Sequence, residues 1–177
     1  MAEQIILVDH NDNPIGTMEK METHRQGLLH RAFSIFIFNS KGELLLQQRA
    51  FDKYHSAGKW ANSCCSHPRP GEQTEEAANR RLKEEIGLEC DLRYGFNFVY
   101  KTSFSNDLIE YEYDHVFVGV SDILPLPDFK EVASFKYMNL ATLAADMVKN
   151  PDLYTVWLKI CFNRMVELKH SELEVPE

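Results

Sequence analysis

The chain has 177 residues, 44% of them hydrophobic, and a formal net charge of −8. That length fills one substantial core and leaves little for a second, and the acidic balance, unrelieved by any long basic run, argues against nucleic acid and anionic membranes as partners. No apolar run approaches the ~20 residues that cross a bilayer, and Met1-Ala2-Glu3-Gln4 lacks a positive leader backed by an apolar segment, so the expectation is one cytoplasmic domain. Cys64, Cys65, Cys90 and Cys161 show no staple-like spacing and no CxxC pair, which favours reduced thiols over a disulfide framework or a cysteine zinc knuckle.

In chain order, Gln4 to Val8, Ala32 to Phe38 and Glu43 to Gln48 have strand character, and the polar stretch Asn39-Ser40-Lys41-Gly42 predicts a hairpin turn between the last two. Residues 49–73 carry Gly58, Pro68, Pro70 and Gly71 without a helical period and read as a long loop, of a length that is often functional. Thr74 to Ile86 predicts a helix: Ala77, Ala78, Leu82 and Ile86 recur at helical spacing, Thr74 offers an N-cap and Gly87 a left-handed C-terminal cap. Within it Arg80 precedes Glu84 by four residues, and Arg81 precedes Glu85 by four. Strand-like runs follow at Phe96 to Tyr100, Ile109 to Val120 and Phe135 to Met138, interrupted by Asn106-Asp107, Pro125 and Pro127. Leu140 to Lys149 and Tyr154 to Lys169 read as helices on either side of Asn150-Pro151, and Ser171 to Glu177 as a loose tail. The pattern has no internal repeat and predicts a mixed α/β fold, a sheet flanked by helices.

Chemistry concentrates in Asn62-Ser63-Cys64-Cys65-Ser66-His67-Pro68. A thiol two residues before an imidazole, next to paired arginines and carboxylates, supplies a proton donor, a metal ligand and an anion clamp, and so points to an enzyme. Glu110 and Glu112 alternate along a strand, which puts both carboxylates on one face; on the strand alone an exposed polar face is an equal reading. His24, His30 and His67 lie in or beside irregular segments, where imidazoles can be aimed at an ion, although a single histidine is more often structural. Joined to the two carboxylates they suit zinc, manganese or magnesium, and spacing does not choose among these. Cys65, near several arginines, is the candidate reactive thiol; Cys90 and Cys161 read as inert small hydrophobes, and Cys64 stays open. Lys20, Arg49, Lys53 and Arg81 can converge on an anion such as a diphosphate, against a default of solvated charge. Trp157, beside Leu158 and Ile160, reads as core, with a ring face able to meet a cationic centre as the alternative.

Taken together, these motifs resemble the Nudix superfamily and, within it, the type I isopentenyl-diphosphate isomerases, from about Gln4 to Glu167. The Nudix box runs through Ser66, Glu72 and Arg80-Arg81-Leu82-Lys83-Glu84-Glu85-Ile86-Gly87-Leu88. Ser66 stands where the hydrolases carry glycine and Arg81 where they carry the first glutamate of an Arg-Glu pair, which weakens a hydrolase reading. The isomerase resemblance rests on Leu28-Leu29-His30-Arg31-Ala32-Phe33-Ser34, on Asn62 to Pro68 and on Glu110-x-Glu112.

This resemblance implies a single Nudix-like domain over residues 1–177, a mixed sheet sandwiched between helices, with residues 1–30 bringing the first metal ligands. It implies that His24, His30, His67, Glu110 and Glu112 hold one divalent ion (zinc, manganese or magnesium), and that Glu85, with the main-chain carbonyl of Cys65, holds a magnesium that arrives with the substrate diphosphate. No flavin is implied. Cys65 and Glu112 are implied as a proton-transfer pair on opposite faces of the substrate, with Tyr100 hydrogen-bonded to the catalytic carboxylate and Trp157 facing a carbocation. Lys20, Arg49, Lys53 and Arg81 match diphosphate-binding positions. The implied reaction is the 1,3 allylic proton shift between isopentenyl and dimethylallyl diphosphate, carried out by a monomer. A Nudix pyrophosphohydrolase acting on a nucleoside diphosphate derivative and a non-catalytic metal-stabilised binding domain are the rival readings.

Overall fold

The computed structural model describes residues 1–172. In chain order β1 (Gln4–Val8) and β2 (Pro14–Glu19) pair antiparallel and lead into α1 (Lys20–Gln26). Then come β3 (His30–Phe38), β4 (Leu44–Arg49), β5 (Trp60–Ala61) and β6 (Cys64–Ser66), the long helix α2 (Thr74–Ile86), and β7 (Arg93–Ser103), β8 (Ile109–Val120) and β9 (Val132–Met138). The chain ends on α3 (Leu140–Lys149), a 3-10 turn at Pro151–Leu153 and α4 (Val156–Glu172).

All nine strands join one mixed sheet with β3 at its hub. β3 runs parallel to β8 from His30 opposite Glu112 to Phe38 opposite Val120, and antiparallel to β6 from Phe33 opposite Ser66 to Ile35 opposite Cys64. It turns through the expected hairpin into β4, where Gly42 at φ 75° takes the left-handed conformation that a residue without Cβ adopts readily. Because both faces of β3 are covered, its sequence is nearly continuously apolar. Phe33, Ile35 and Ile37 pack with Ala77, Ala78, Leu82 and Ile86 of α2. Phe36 and Phe38 pack on the other side with Leu143 and Met147 of α3 and Leu158, Phe162 and Met165 of α4. The sheet is therefore sandwiched between helices, as the sequence implied.

Several local expectations are corrected. β2 and α1 carry no strong period: β2 is a largely exposed edge strand that begins at Pro14, where a missing N–H is tolerated. α1 is capped by the Glu19 carboxylate, which accepts hydrogen bonds from the amides of Met21 and Glu22, and is closed by Gly27 at φ 62°. The stretch 49–73 is not all loop, since β5 and β6 lie inside it. Gln73 rather than Thr74 occupies the N-cap of α2, and Thr74 is its first helical residue. Ser171 and Glu172 end α4 instead of opening a tail, and the rest of that expected tail, 173–177, lies outside the described residues. Among the described residues no helix is long and apolar enough to cross a membrane.

Candidate active site

Along β8, alternation sends Glu110, Glu112 and Asp114 to one face, and all three are buried. The parallel pairing of β3 with β8 sets His30 opposite Glu112; α1 brings His24 and the end of β6 brings His67 to the same point. His24 Nε2 lies 3.2 Å from Glu110 Oε1, and His67 Nε2 lies 3.2 Å from Glu112 Oε1. His30 Nε2 sits between the two carboxylates, 3.6 Å from Glu110 Oε2 and 3.7 Å from Glu112 Oε1. One donor atom from each of His24, His30, His67 and Glu110 falls within 4.8 Å of all the others.

The donor set fits a divalent cation. Both nitrogens of His24, His30 Nε2, His67 Nδ1 and Glu110 Oε2 are buried without a hydrogen-bond partner, although such groups typically cost about 1–3 kcal/mol each when left unpaired. The other nitrogen of His30, Nδ1, lies 2.8 Å from the carbonyl of Leu28; donation there leaves the Nε2 lone pair facing the carboxylates, the usual way a fold orients an imidazole ligand. Electrostatics agree. Burial alone lowers the pKa of His30, but its contacts to Glu110 and Glu112 outweigh burial and raise it to about 10. Burial likewise raises the Glu110 carboxyl, yet contacts from His24, His30 and His55 hold it well below the ordinary carboxylate range. The cluster is built to hold positive charge, and mixed imidazole and carboxylate ligands suit zinc or manganese, with magnesium favoured less by so many nitrogens.

Beside this cluster stands a set of protonated donors. Tyr100, opposite Glu112 in the β7–β8 ladder, donates its hydroxyl to Glu112 Oε2 at 2.8 Å. Burial, then the charge of Glu112, raises the Tyr100 pKa, so the phenol remains a donor. Burial, then the charge of Asp114, likewise pushes the Cys65 thiol far up, so the sulfur is a thiol rather than a thiolate. Cys65 Sγ lies 3.0 Å from Asn62 Oδ1, which also accepts the Trp157 indole N–H at 3.1 Å. Asn62 is itself fixed by donation to the carbonyls of Ile35 and Cys64. On its other side the thiol meets Ser34 Oγ at 3.8 Å, and Ser34 donates to Asp114 Oδ2 at 2.7 Å.

These groups open onto one cavity of about 460 Å³, lined by Cys65, Tyr100, Glu112 and Trp157 at its floor and by Lys20, Arg49, Lys53 and Arg81 toward its mouth. Three of the four cations are paired: Lys20 with Glu3 at 3.1 Å, Lys53 with Glu131, and Arg81 with Glu84 at 2.9 Å and Glu85 at 2.8 Å. Arg49 lies with its guanidinium 5.3 Å from the Trp157 ring centroid and donates to the His55 carbonyl at 3.2 Å. Its Nε and that of Arg81 are buried without partners. Glu85 is engaged through both oxygens, accepting from Gln47 at 2.7 Å and from Arg81.

Of the site residues singled out in the sequence, all but His24 and His30 line this cavity, and those two lie behind its lining residues Glu110 and Glu112. Sequence reasoning missed Asp114, which continues the alternation of Glu110 and Glu112 and was legible by that period. It also missed His55, whose Nε2 lies 2.6 Å from Glu110 Oε1, and the roles of Ser34, Asn62 and Glu131, which only the three-dimensional arrangement reveals.

The NUDIX domain family matches residues 28–158 of the chain. Isopentenyl-diphosphate Delta-isomerase 2 of Photorhabdus laumondii is 54% identical over 163 residues, covering 92% of each chain. Isopentenyl-diphosphate Delta-isomerase 1 of Aromatoleum aromaticum is 51% identical over 172 residues, covering 97% of each. The crystal structure of DR0079 from Deinococcus radiodurans superposes with a TM-score of 0.76 over 91% of this chain and 98% of that one; at 20% identity this is a likeness of fold. A sheet sandwiched between helices, a Nudix box on α2 and about half identity over nearly the whole length agree: the chain belongs to the Nudix family and, within it, to the isopentenyl-diphosphate Delta-isomerases.

Proposed function

We propose that this enzyme interconverts isopentenyl diphosphate and dimethylallyl diphosphate by a 1,3 proton shift, acting as a cytoplasmic monomer. The observation that carries the chemistry is the presence of a half-buried, protonated thiol and a buried carboxylate, Cys65 and Glu112, in the wall of one cavity with a cationic mouth. One of the two donates a proton to the terminal alkene carbon: the π electrons form the new C–H bond and leave a tertiary carbocation. The other removes a proton from the carbon on the far side of the cationic centre, and the electrons of that C–H bond form the new double bond. No oxidant or reductant is needed.

Tyr100 holds the catalytic oxygen of Glu112 through its 2.8 Å hydrogen bond, and Asn62 holds the thiol and the indole together. Trp157 turns an aromatic surface to the cation, a contact worth about 2 kcal/mol when desolvated. Low exposure of these walls keeps out water that would trap the cation. His24, His30, His67, Glu110 and Glu112 would hold a divalent cation, which would fix Glu112 and tune its acidity. Lys20, Arg49, Lys53 and Arg81 bind the diphosphate, and Glu85 with the Cys65 carbonyl would hold a magnesium that accompanies it and would help to neutralise the phosphate charge.

The test is conversion of isopentenyl diphosphate by flavin-free protein with magnesium, before and after chelation, beside Cys65→Ala. Metal-dependent conversion that the substitution eliminates is expected. Full conversion by Cys65→Ala removes the thiol from the mechanism.

A further inference from the structure

His55 belongs to none of the roles above, yet it is buried and sits where two parts of the site meet. Its Nε2 lies 2.6 Å from Glu110 Oε1, while its own main-chain carbonyl accepts the Arg49 guanidinium at 3.2 Å. The ring is clamped: it stacks on Phe104 with centroids 4.3 Å apart and planes 5° from parallel, and Nδ1 lies 3.2 Å from Ser56 Oγ. Acceptance at Nδ1 from the serine hydroxyl makes Nε2 the N–H that donates to Glu110. The lone pair of Nε2 is then absent, so His55 is not a metal ligand in this arrangement. It takes up one oxygen of Glu110 and leaves Oε2, buried and without a hydrogen-bond partner, facing the histidine cluster.

The segment that carries His55 also carries Arg49 and Lys53, and its own backbone closes it through Arg49 N–H to Lys59 O, Gly58 N–H to Arg49 O and Lys59 N–H to Ser56 O, with Ala50 N–H to Glu131 O and Asn106 Nδ2 to Tyr54 O tying it to the rest of the molecule. Ser56 sits at φ 51°, in the left-handed region. We propose that His55 is a positioning residue that joins the metal cluster to this segment, so that a cation bound by Glu110 also fixes the loop presenting Arg49 and Lys53 to the diphosphate. This rests on the reading of the histidine cluster as a metal site and extends it to a residue that is neither ligand nor proton carrier.

The test uses the full chain and Co²⁺ as probe, which reports its own ligands by visible absorption. Two quantities are measured in the wild type, His55→Ala and His55→Gln: the Co²⁺ dissociation constant, and amide hydrogen exchange of residues 49–59 with and without saturating Co²⁺. In the wild type Co²⁺ slows exchange of the Arg49, Gly58 and Lys59 amides about tenfold or more. In His55→Ala that metal-dependent protection disappears and Co²⁺ binds roughly 10–100-fold more weakly, the usual effect of losing a residue that orients a ligand. His55→Gln, whose amide N–H can still reach Glu110, restores most of both, and the absorption of the bound metal keeps its shape in all three. Unchanged affinity and unchanged protection in His55→Ala overturn this inference alone. A changed band pattern at saturation makes His55 a ligand and overturns its positioning role. Failure of the wild type to bind Co²⁺ overturns the metal reading with it, whereas these binding readouts are independent of whether isopentenyl diphosphate turns over.

Discussion

At the floor of the cavity Glu110, backed by His24 and His30 behind the cavity wall, belongs to an almost wholly buried cluster that presents nitrogen and oxygen atoms with no hydrogen-bond partner; at the mouth Lys20, Lys53 and Arg81 remain partly exposed and each already holds a carboxylate. The floor is a fixed constellation. Its donors are placed by α1, β3, β6 and β8, and a cation would satisfy the lone pairs they turn inward. The mouth is a set of ion pairs: Lys20 with Glu3 and Lys53 with Glu131 lie near water, where such a pair is worth only about 0–1 kcal/mol, whereas the Glu85 carboxylate held by Arg81 is buried. On the proposed function, chemistry falls to the rigid end and recognition to the adaptable end, in a protein whose overall charge of −8 would otherwise repel its substrate.

The sharpest way to break this division is to remove the proposed proton carriers from the floor. Cys65→Ala and Glu112→Gln are each expected to lower kcat by about 10³-fold or more, in the upper range for positioned acid–base groups; Cys65→Ala retains its metal by elemental analysis, and a near-normal rate in either variant removes that residue from the reaction. Next in size is loss of the floor's cation. Chelation is expected to abolish turnover and to lower thermal stability, because metal at a thousandfold excess over its dissociation constant contributes about 4 kcal/mol, or roughly 8–16 °C for a chain of this size. A melting curve that ignores chelator contradicts the reading of the unpaired donors.

At the mouth the effects shrink and move to KM. Arg49→Ala is expected to raise KM for isopentenyl diphosphate about 10–100-fold with a smaller change in kcat, since a hydrogen bond to a charged group contributes about 1.5–3 kcal/mol; steady-state kinetics separate the two, and a change confined to kcat would place Arg49 with the chemistry. The smallest effect is reserved for Glu3→Gln, which frees Lys20 from its partner. KM should fall by no more than about fivefold, in line with the small worth of an exposed pair, and a rise in KM would mean that Glu3 itself helps to bind the substrate.

The same contrast explains what was legible in the sequence. β8 and α2 were read to their ends because a period of two or of 3.6 is written into residues that face a core, and the pair Glu110 and Glu112 came with that period. The hairpin at Asn39 to Gly42 was legible because the turn requires a residue able to take positive φ. α1 was not read: its seven residues, KMETHRQ, carry no apolar stripe, and its cap is a glutamate rather than the serine, threonine, asparagine or aspartate that usually announces a helix. The three histidines, Cys65, Trp157 and the four mouth cations were legible as candidates from residue type and context, but Tyr100 and the grouping of all of them into one site came from motif resemblance, since they converge from α1, β3, β4, β6, β7, α2, α4 and the loop after β4 and no local pattern links them. His55 had neither period nor motif; its place depends on how 49–59 folds over Glu110, a tertiary contact that local sequence does not encode.

The most direct measurement of the central claim is proton and phosphorus NMR of isopentenyl diphosphate turned over in D₂O by the metal-loaded enzyme. The account predicts dimethylallyl diphosphate with its diphosphate intact and with deuterium in the allylic methyl group, delivered by exchangeable protein acids. Release of inorganic phosphate, or product free of deuterium, would contradict it.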